Sequence, residues 1–262
     1  MDIKPILKTL LRNKIGVAVI AAQVALTLAI ASNVFYVVAD KVNAARQPTG
    51  ADEANVFQIR ATSYRETKDP IAQQKIDEAV LRAIPGVTQV AMVNQVPLGQ
   101  SGNNSGFFRK RDQQQSTSNG ATYESASSMV DTLGLKLIQG RDFLPGEYLE
   151  FATYPTKTTS LPVIISEAMA RVMFPERSDY AGQVFYWGKG DDAAELRVVG
   201  VVEMLATPWG RTSWGSKTGG DSLIMAVRMP ETSPQYIVRT APGTQADVIV
   251  PDNQLSLAIG KE

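Results

Sequence analysis

The sequence of 262 residues contains neither cysteine nor histidine, and its 26 Lys and Arg are matched by 26 Asp and Glu. Without a thiol or an imidazole there is no disulfide, no Cys/His zinc site, no Cys or His nucleophile and no Ser-His-Asp triad. A chain without net charge also lacks the excess of Lys and Arg that neutralises phosphates, so nucleic acid is not an expected partner. The segment nearest to a phosphate-binding loop is Gly182–Gly190, GQVFYWGKG. It has one residue too many between its glycines, and Gly where Ser or Thr would hold magnesium, so it reads as strand and turn. Glu147, Glu150, Asp191, Asp192 and Glu195 fall in polar segments and read as solvated surface. The sequence thus offers no catalytic residue, no metal ligand set and no cofactor site, and no enzyme is expected.

Long hydrophobic runs are also scarce, with one exception. From Ile15 to Ala39 there are 25 residues without a charged side chain, more than the about 20 that cross a bilayer. A cleaved signal has a shorter apolar core and a small-x-small end, whereas this run ends in Phe35, Tyr36, Val37 and Val38. It reads as a retained single membrane span. Ala21, Ala25 and Ala29 recur every fourth residue as a small-residue ridge, and Gln23 and Thr27 stand one turn apart, so these five are the candidate helix-packing residues. Residues 1–14 place Ile3, Ile6, Leu7, Leu10 and Leu11 on one side of a helix and carry Lys4, Lys8, Arg12 and Lys14 against Asp2 alone, the pattern of a cytoplasmic interfacial helix. Those four basic and one acidic residues leave 22 basic against 25 acidic for the rest. The asymmetry puts the N-terminus in the cytoplasm and everything after Ala39 on the far side of the inner membrane.

Beyond a polar linker over 40–54, the pattern predicts an α+β domain over 55–245. A strand at Val56–Ala61 is followed by a helix capped by Asp69 and started by Pro70, with Ile71, Ile76, Ala79, Val80, Ala83 and Ile84 as its apolar side, and by a strand at Val87–Val93. Gly99–Gly120 is polar apart from Phe107-Phe108-Arg109-Lys110-Arg111 and reads as a long hairpin. Further strands are expected at Ala121–Ser127, Lys136–Phe143, Val163–Ile165, Val184–Tyr186, Leu196–Val202, Leu223–Met229 and Gln235–Thr240, with helices at Met129–Leu133 and after an N-cap at Ser166. Leu144–Leu161 reads as loop. Phe107, Phe108 and Arg109 of the hairpin, and Trp209 and Trp214 of a Trp/Gly-rich loop, are the candidate partner contacts; the alternative for the hairpin is a solvated loop with both Phe buried.

This order of elements, with Ser125–Phe143 (SASSMVDTLGLKLIQGRDF), Pro162–Phe174 (PVIISEAMARVMF), Gly182-Gln183 and Arg197–Val202 (RVVGVV), resembles the MacB-type periplasmic core domain of ABC transporter permeases over residues 1–245. The resemblance implies a non-catalytic permease subunit whose periplasmic domain moves in response to ATP-driven dimerisation of a cytoplasmic ABC ATPase on a separate chain. It also implies a second permease subunit as partner. The family pattern continues with three further membrane helices, for which no apolar run of adequate length follows Ala39. The last residues, ADVIVPDNQLSLAIGKE over 246–262, resemble a KH-domain segment of the transcription factor NusA. A truncated or chimeric reading frame joined near Gln245 is therefore expected. About 17 residues are too few to fold as a KH module, so RNA binding is not implied.

Overall fold

A computed structural model describes residues 14–61, 68–150, 160–210, 219–231 and 233–249. The interfacial helix expected over 1–14 and most of the 246–262 tail lie outside the described residues. The chain divides into two compact units, Met1–Gln47 and Pro48–Glu262.

The first unit is one helix, α1, Lys14–Ala45. Within Lys14–Asn43 an 18-residue stretch reaches a mean hydropathy of 2.2, and the helix is long and apolar enough to cross a membrane. The helix continues six residues past Ala39 because Asp40–Ala45 (DKVNAA) holds no Gly or Pro to stop it. The first part of the expected linker is therefore helical. Its latter part, from Pro48, belongs to the second unit: Ala206 N donates to Thr49 O at 2.9 Å, and Asp52 N to Leu133 O at 2.8 Å.

The second unit is α+β, as the sequence predicts, with a small sheet and a larger one. The small sheet is built from β1 (Val56–Arg60), β2 (Val87–Val93) and β12 (Gln235–Thr240), with β12 in the middle and antiparallel to both. The expected strand-helix-strand unit is present, but split: β1 and β2 flank β12, and α2 (Pro70–Arg82) connects them. Asp69 caps α2 by accepting from Ala72 N at 3.0 Å, and Pro70 opens it where no amide partner is needed.

The larger sheet contains β3 (Asn104–Phe108), β4 (Ser118–Glu124), β5 (Leu137–Gly140), β7 (Ser160–Ser166), β8 (Val184–Trp187), β9 (Ala194–Val202) and β10 (Ser222–Met225). Its order β9-β7-β10-β4-β3-β8 is closed by β8 pairing back onto β9, which makes a six-stranded barrel. The long strand β9 shares one of its edges between two partners. Ala194–Arg197 pair with β8 and Gly200–Val202 with β5. The exchange is tight: Gly140 has φ +70, and a Cβ there would lie 2.2 Å from Val199 O. A two-stranded ribbon, β6 (Leu149–Glu150) with β11 (Val227–Arg228), breaks the expected loop after Leu144 and the expected single strand Leu223–Met229.

Alternation along the barrel strands sorts side chains into two cores. Val163, Ile165, Leu223 and Met225 face the first core, where α4 (Glu167–Met173) contributes Met169, Ala170 and Met173. Ser166 caps α4 as expected, accepting from Met169 N at 3.2 Å. The intervening Ile164, Ile224 and Tyr123 face a second core with α3 (Met129–Leu133) and with Ala91 and Ile237 of the small sheet. The other face of the small sheet packs Val90, Met92, Tyr236 and Val238 with Leu81 of α2.

Here one expectation fails. The buried residues of α2 are Gln74, Asp77, Glu78 and Leu81, while Ile76 is 56% exposed and Ala79 and Ala83 are also exposed. Of the apolar side read from the sequence, Ile76, Ala79 and Ala83 point outward, whereas Ile71, Val80 and Ile84 are half-buried, Ile84 against the core that Leu81 shares with the small sheet. The polar side can be buried because each group meets a partner. Glu78 accepts from Arg228 at 2.7 Å and from Met92 N at 3.0 Å, Asp77 accepts from Tyr236 Oη at 2.7 Å, and Gln74 donates to Met229 O at 3.0 Å. Burial raises the Tyr236 phenol well above its ordinary pKa, and the Asp77 hydrogen bond adds to that.

Candidate functional site

The candidate residues fall on three surfaces. On α1, Ala21, Gln23, Ala25, Thr27 and Ala29 are all exposed. Ala21 and Ala25 lie with Val17, Ile20, Val24 and Leu28 along one side of the helix. At about 100° per residue, Gln23 and Thr27 stand roughly 160° from that ridge, so the two sets cannot face one neighbour. Thr27 Oγ1 donates to Gln23 O within the helix at 2.9 Å. Its hydroxyl is thereby satisfied without a partner, and Gln23 keeps the amide that a helix in the bilayer would have to meet.

The hairpin forms as expected from β3 and β4. It does not project freely, because β3 also pairs with β8 as part of the barrel wall. Phe107 is fully buried, its ring edge-on to Phe185 at 5.8 Å, and Phe108 is buried beneath Lys189, 5.4 Å from its ring. Neither Phe is a surface contact. A strand that belongs to a closed barrel points alternate side chains inward, and the last turn onto the tip covers the next one. The tip is pinned by Arg111, which lies 4.7 Å over the Tyr186 ring and donates to Ala193 O at 3.0 Å. Lys189 also bonds to Gln114 O.

Arg109 stays at the surface, 37% exposed and paired with Glu176. It opens a cleft of about 650 Å³ between the hairpin and the segment after α4, with Lys110, Asp112, Phe174 and Arg177 among its walls. Arg109 is legible in the sequence, whereas the opposite wall is not, since Glu176 and Arg177 lie 67 and 68 positions away. No local pattern encodes that pairing.

Trp209 is half-buried against the second core, and Trp214 lies outside the described residues. The turn before Trp209 is laced to Leu98-Gly99-Gln100: Leu98 N donates to Thr207 O at 3.2 Å and Gln100 N to Pro208 O at 2.8 Å. Leu98 and Gln100 hold φ of +55 and +62, the left-handed region that side chains other than Gly avoid.

No family model matches the chain, and no curated protein matches it. Among solved structures it is similar to the extracellular domain of the noncanonic ABC-type transporter YknZ from Gram-positive bacteria, with TM-score 0.42, 16% identity, and coverage of 73% of this chain and 87% of that one. It is also similar to the periplasmic region of MacB from Actinobacillus actinomycetemcomitans, with TM-score 0.43, 14% identity, and coverage of 79% and 83% respectively.

Proposed function

We propose that the chain is a membrane-tethered permease component of a MacB-type ABC transporter, whose outer domain takes up movement generated by a cytoplasmic ATPase instead of catalysing a reaction. The observation that carries the reading is the joining of an exposed apolar helix of membrane length to an α+β domain in which the four resembling segments form one connected piece. Pro162–Phe174 is β7 with α4, Arg197–Val202 lies in β9 beside it, Ser125–Phe143 contains α3 and β5, and Gly182-Gln183 is bonded to Val198 in both directions, at 2.7 and 2.9 Å. The orientation follows from the basic flank before α1, and a second permease subunit is the natural neighbour for the ridge of Ala21 and Ala25.

Two measurements test this. In sealed inner-membrane vesicles, protease should cut Leu144–Leu161 only from the outer face; protection there overturns the topology. In mild detergent, the chain should co-purify with an ATP-hydrolysing subunit; retention of none overturns the permease reading.

The cleft favours a second reading, an anchored module that binds a periplasmic partner. Deleting the hairpin would open the barrel, so the informative change is Lys110→Glu with Arg177→Glu. Loss of a partner captured by the wild-type chain would support it, and unchanged capture would remove it.

A further inference from the structure

The segment Pro48–Asn55 is the first stretch of the outer domain that the chain reaches after α1, and it is held in an unusual way for a linker. Its contacts are almost wholly polar and converge from three places. From the loop after β9, Ala206 N donates to Thr49 O at 2.9 Å. From α3, Leu133 O accepts from Asp52 N at 2.8 Å. From β12, Thr240 N donates to Asn55 O at 2.8 Å, and Arg239 Nη2 reaches Asp52 Oδ2 at 2.6 Å. Asn55 Nδ2 donates to both oxygens of Asp52, at 3.0 and 3.2 Å, so the carboxylate is held from two sides. Arg239 Nη1 points on to Thr132 O near the end of α3, at 3.5 Å. Gly50 has φ +88, and a Cβ there would lie 2.2 Å from Met204 O, so the backbone itself sits flush against the loop.

Little apolar burial accompanies these bonds. Ala51 is the member of the segment packed against the second core, and only partly buried. Asp52 and Arg239 retain 34% and 24% exposure of their side chains. A segment held by directional bonds with one ion pair at its centre can detach as a unit while the two cores stay closed, because local opening follows contact density. The strand it is tied to, β12, is the middle one of the small sheet and is braced by β1 and β2 on both edges.

We propose that Pro48–Asn55 is a releasable latch. Docked, it delivers a pull arriving from the membrane side into β12 through Asp52 and Arg239. Released, it gives the tether slack of at most about 27 Å, the reach of eight extended residues before the span of the docked segment is subtracted, and a pull reaches the domain, through β1, only after that slack is taken up. The use of the latch for transmission rests on the function proposed above, whereas the latch itself is measurable without an ATPase: failure to recover an ATPase leaves the measurements below untouched.

The test uses the full chain in lipid nanodiscs. In hydrogen exchange, Asp52→Ala and Arg239→Ala should each speed the amides of Asp52 and Ala206 by about tenfold or more with β7 and β9 unchanged, and the exchanged pair Asp52→Arg with Arg239→Asp should recover much of the protection. Because the chain has no cysteine of its own, Gln47→Cys and Pro242→Cys give unique handles for an optical trap. An early lengthening of at most about 27 Å, less the span of the docked segment, should precede domain rupture and come at lower force in the single variants. Should Asp52→Ala not fold, Arg239→Lys, which keeps the charge but not the planar fork, should show the same early event at intermediate force. Unchanged exchange in the single variants, acceleration of β9 together with the segment, or no early event before rupture would each overturn the latch.

Discussion

Helices α2 and α4 each lie against a sheet, and they are buried by different means: α2 adds three polar side chains to its one fully buried apolar contact, Leu81. The buried residues of α4 are Met169, Ala170 and Met173, in the barrel core, where any side chain of similar volume and polarity would serve. α2 buries Gln74, Asp77 and Glu78, and each is matched by a specific group on β2, β11, β12 or the residue after β11. Apolar packing is tolerant in orientation; a set of buried hydrogen bonds is satisfied in one placement only. The barrel is therefore held by volume, whereas in the small layer polar partners fix the placement of α2 around the apolar contact of Leu81 with Val90, Met92, Tyr236 and Val238. The same difference explains why α2 could expose Ile76 without loss: its placement is decided by polar partners whose cost, if left unmet, exceeds the gain from covering one isoleucine.

The largest effect expected from this contrast is that of Glu78→Ala. It strands Arg228, 6% exposed, and the amide of Met92 without their acceptor, and should cost about 3–5 kcal/mol in denaturant titration. Replacing Glu78 and Arg228 together by Met should recover part of that loss, because it removes the orphaned charge but leaves the Met92 amide without its acceptor. A double variant as unstable as the single one would break the comparison. Met173→Ala, in the barrel core, should cost about 2–5 kcal/mol through its cavity alone. A second apolar substitution should not rescue it in the manner of the ion pair.

Much of the fold could be read from the residues themselves. The membrane-length helix, the caps at Asp69 and Ser166, and strands β2 and β12 follow from local chemistry. Barrel closure could not be read, since it depends on β8 meeting both β3 and β9, and nothing near Val184–Trp187 encodes either partner. The outward turn of Ile76, Ala79 and Ala83 is not legible, because hydrophobic periodicity assumes an apolar partner, and Arg228, about 150 residues away, supplies an ionic one. Of the candidate site, Arg109 was legible and its cleft was not. Phe107 was open to either reading, and strand pairing decided it.

Two smaller effects sharpen the contrast at the surface. Arg141 and Glu147 form a two-point ion pair, both bonds 2.7 Å, in the turn before β6. The Arg141 bond is the main cause that holds the Glu147 carboxyl below its ordinary pKa. A carboxyl with a depressed folded pKa stabilises above its unfolded value and loses that contribution as pH falls through the folded one. Glu147→Gln should therefore be less stable than wild type near neutrality, by under about 1 kcal/mol for a pair this exposed, and the two should converge in acid. A gap that persists at low pH would mean that the carboxylate matters for something other than its charge.

The smallest effect is the most pointed. Ile76 stands on the side of α2 that periodicity assigns to the core, and it is 56% exposed. Ile76→Lys should change stability by no more than about 0.5 kcal/mol, as surface substitutions do, and Lys is no worse a helix former than Ile. Were α2 seated on its apolar side, the same change would bury an unpaired ammonium and cost several times more. Placed beside Glu78→Ala, two positions along the chain, the pair of measurements decides which face of the helix the domain uses. An isoleucine that resists replacement while the glutamate accepts it would reverse the account given for α2 and return the small layer to ordinary apolar packing.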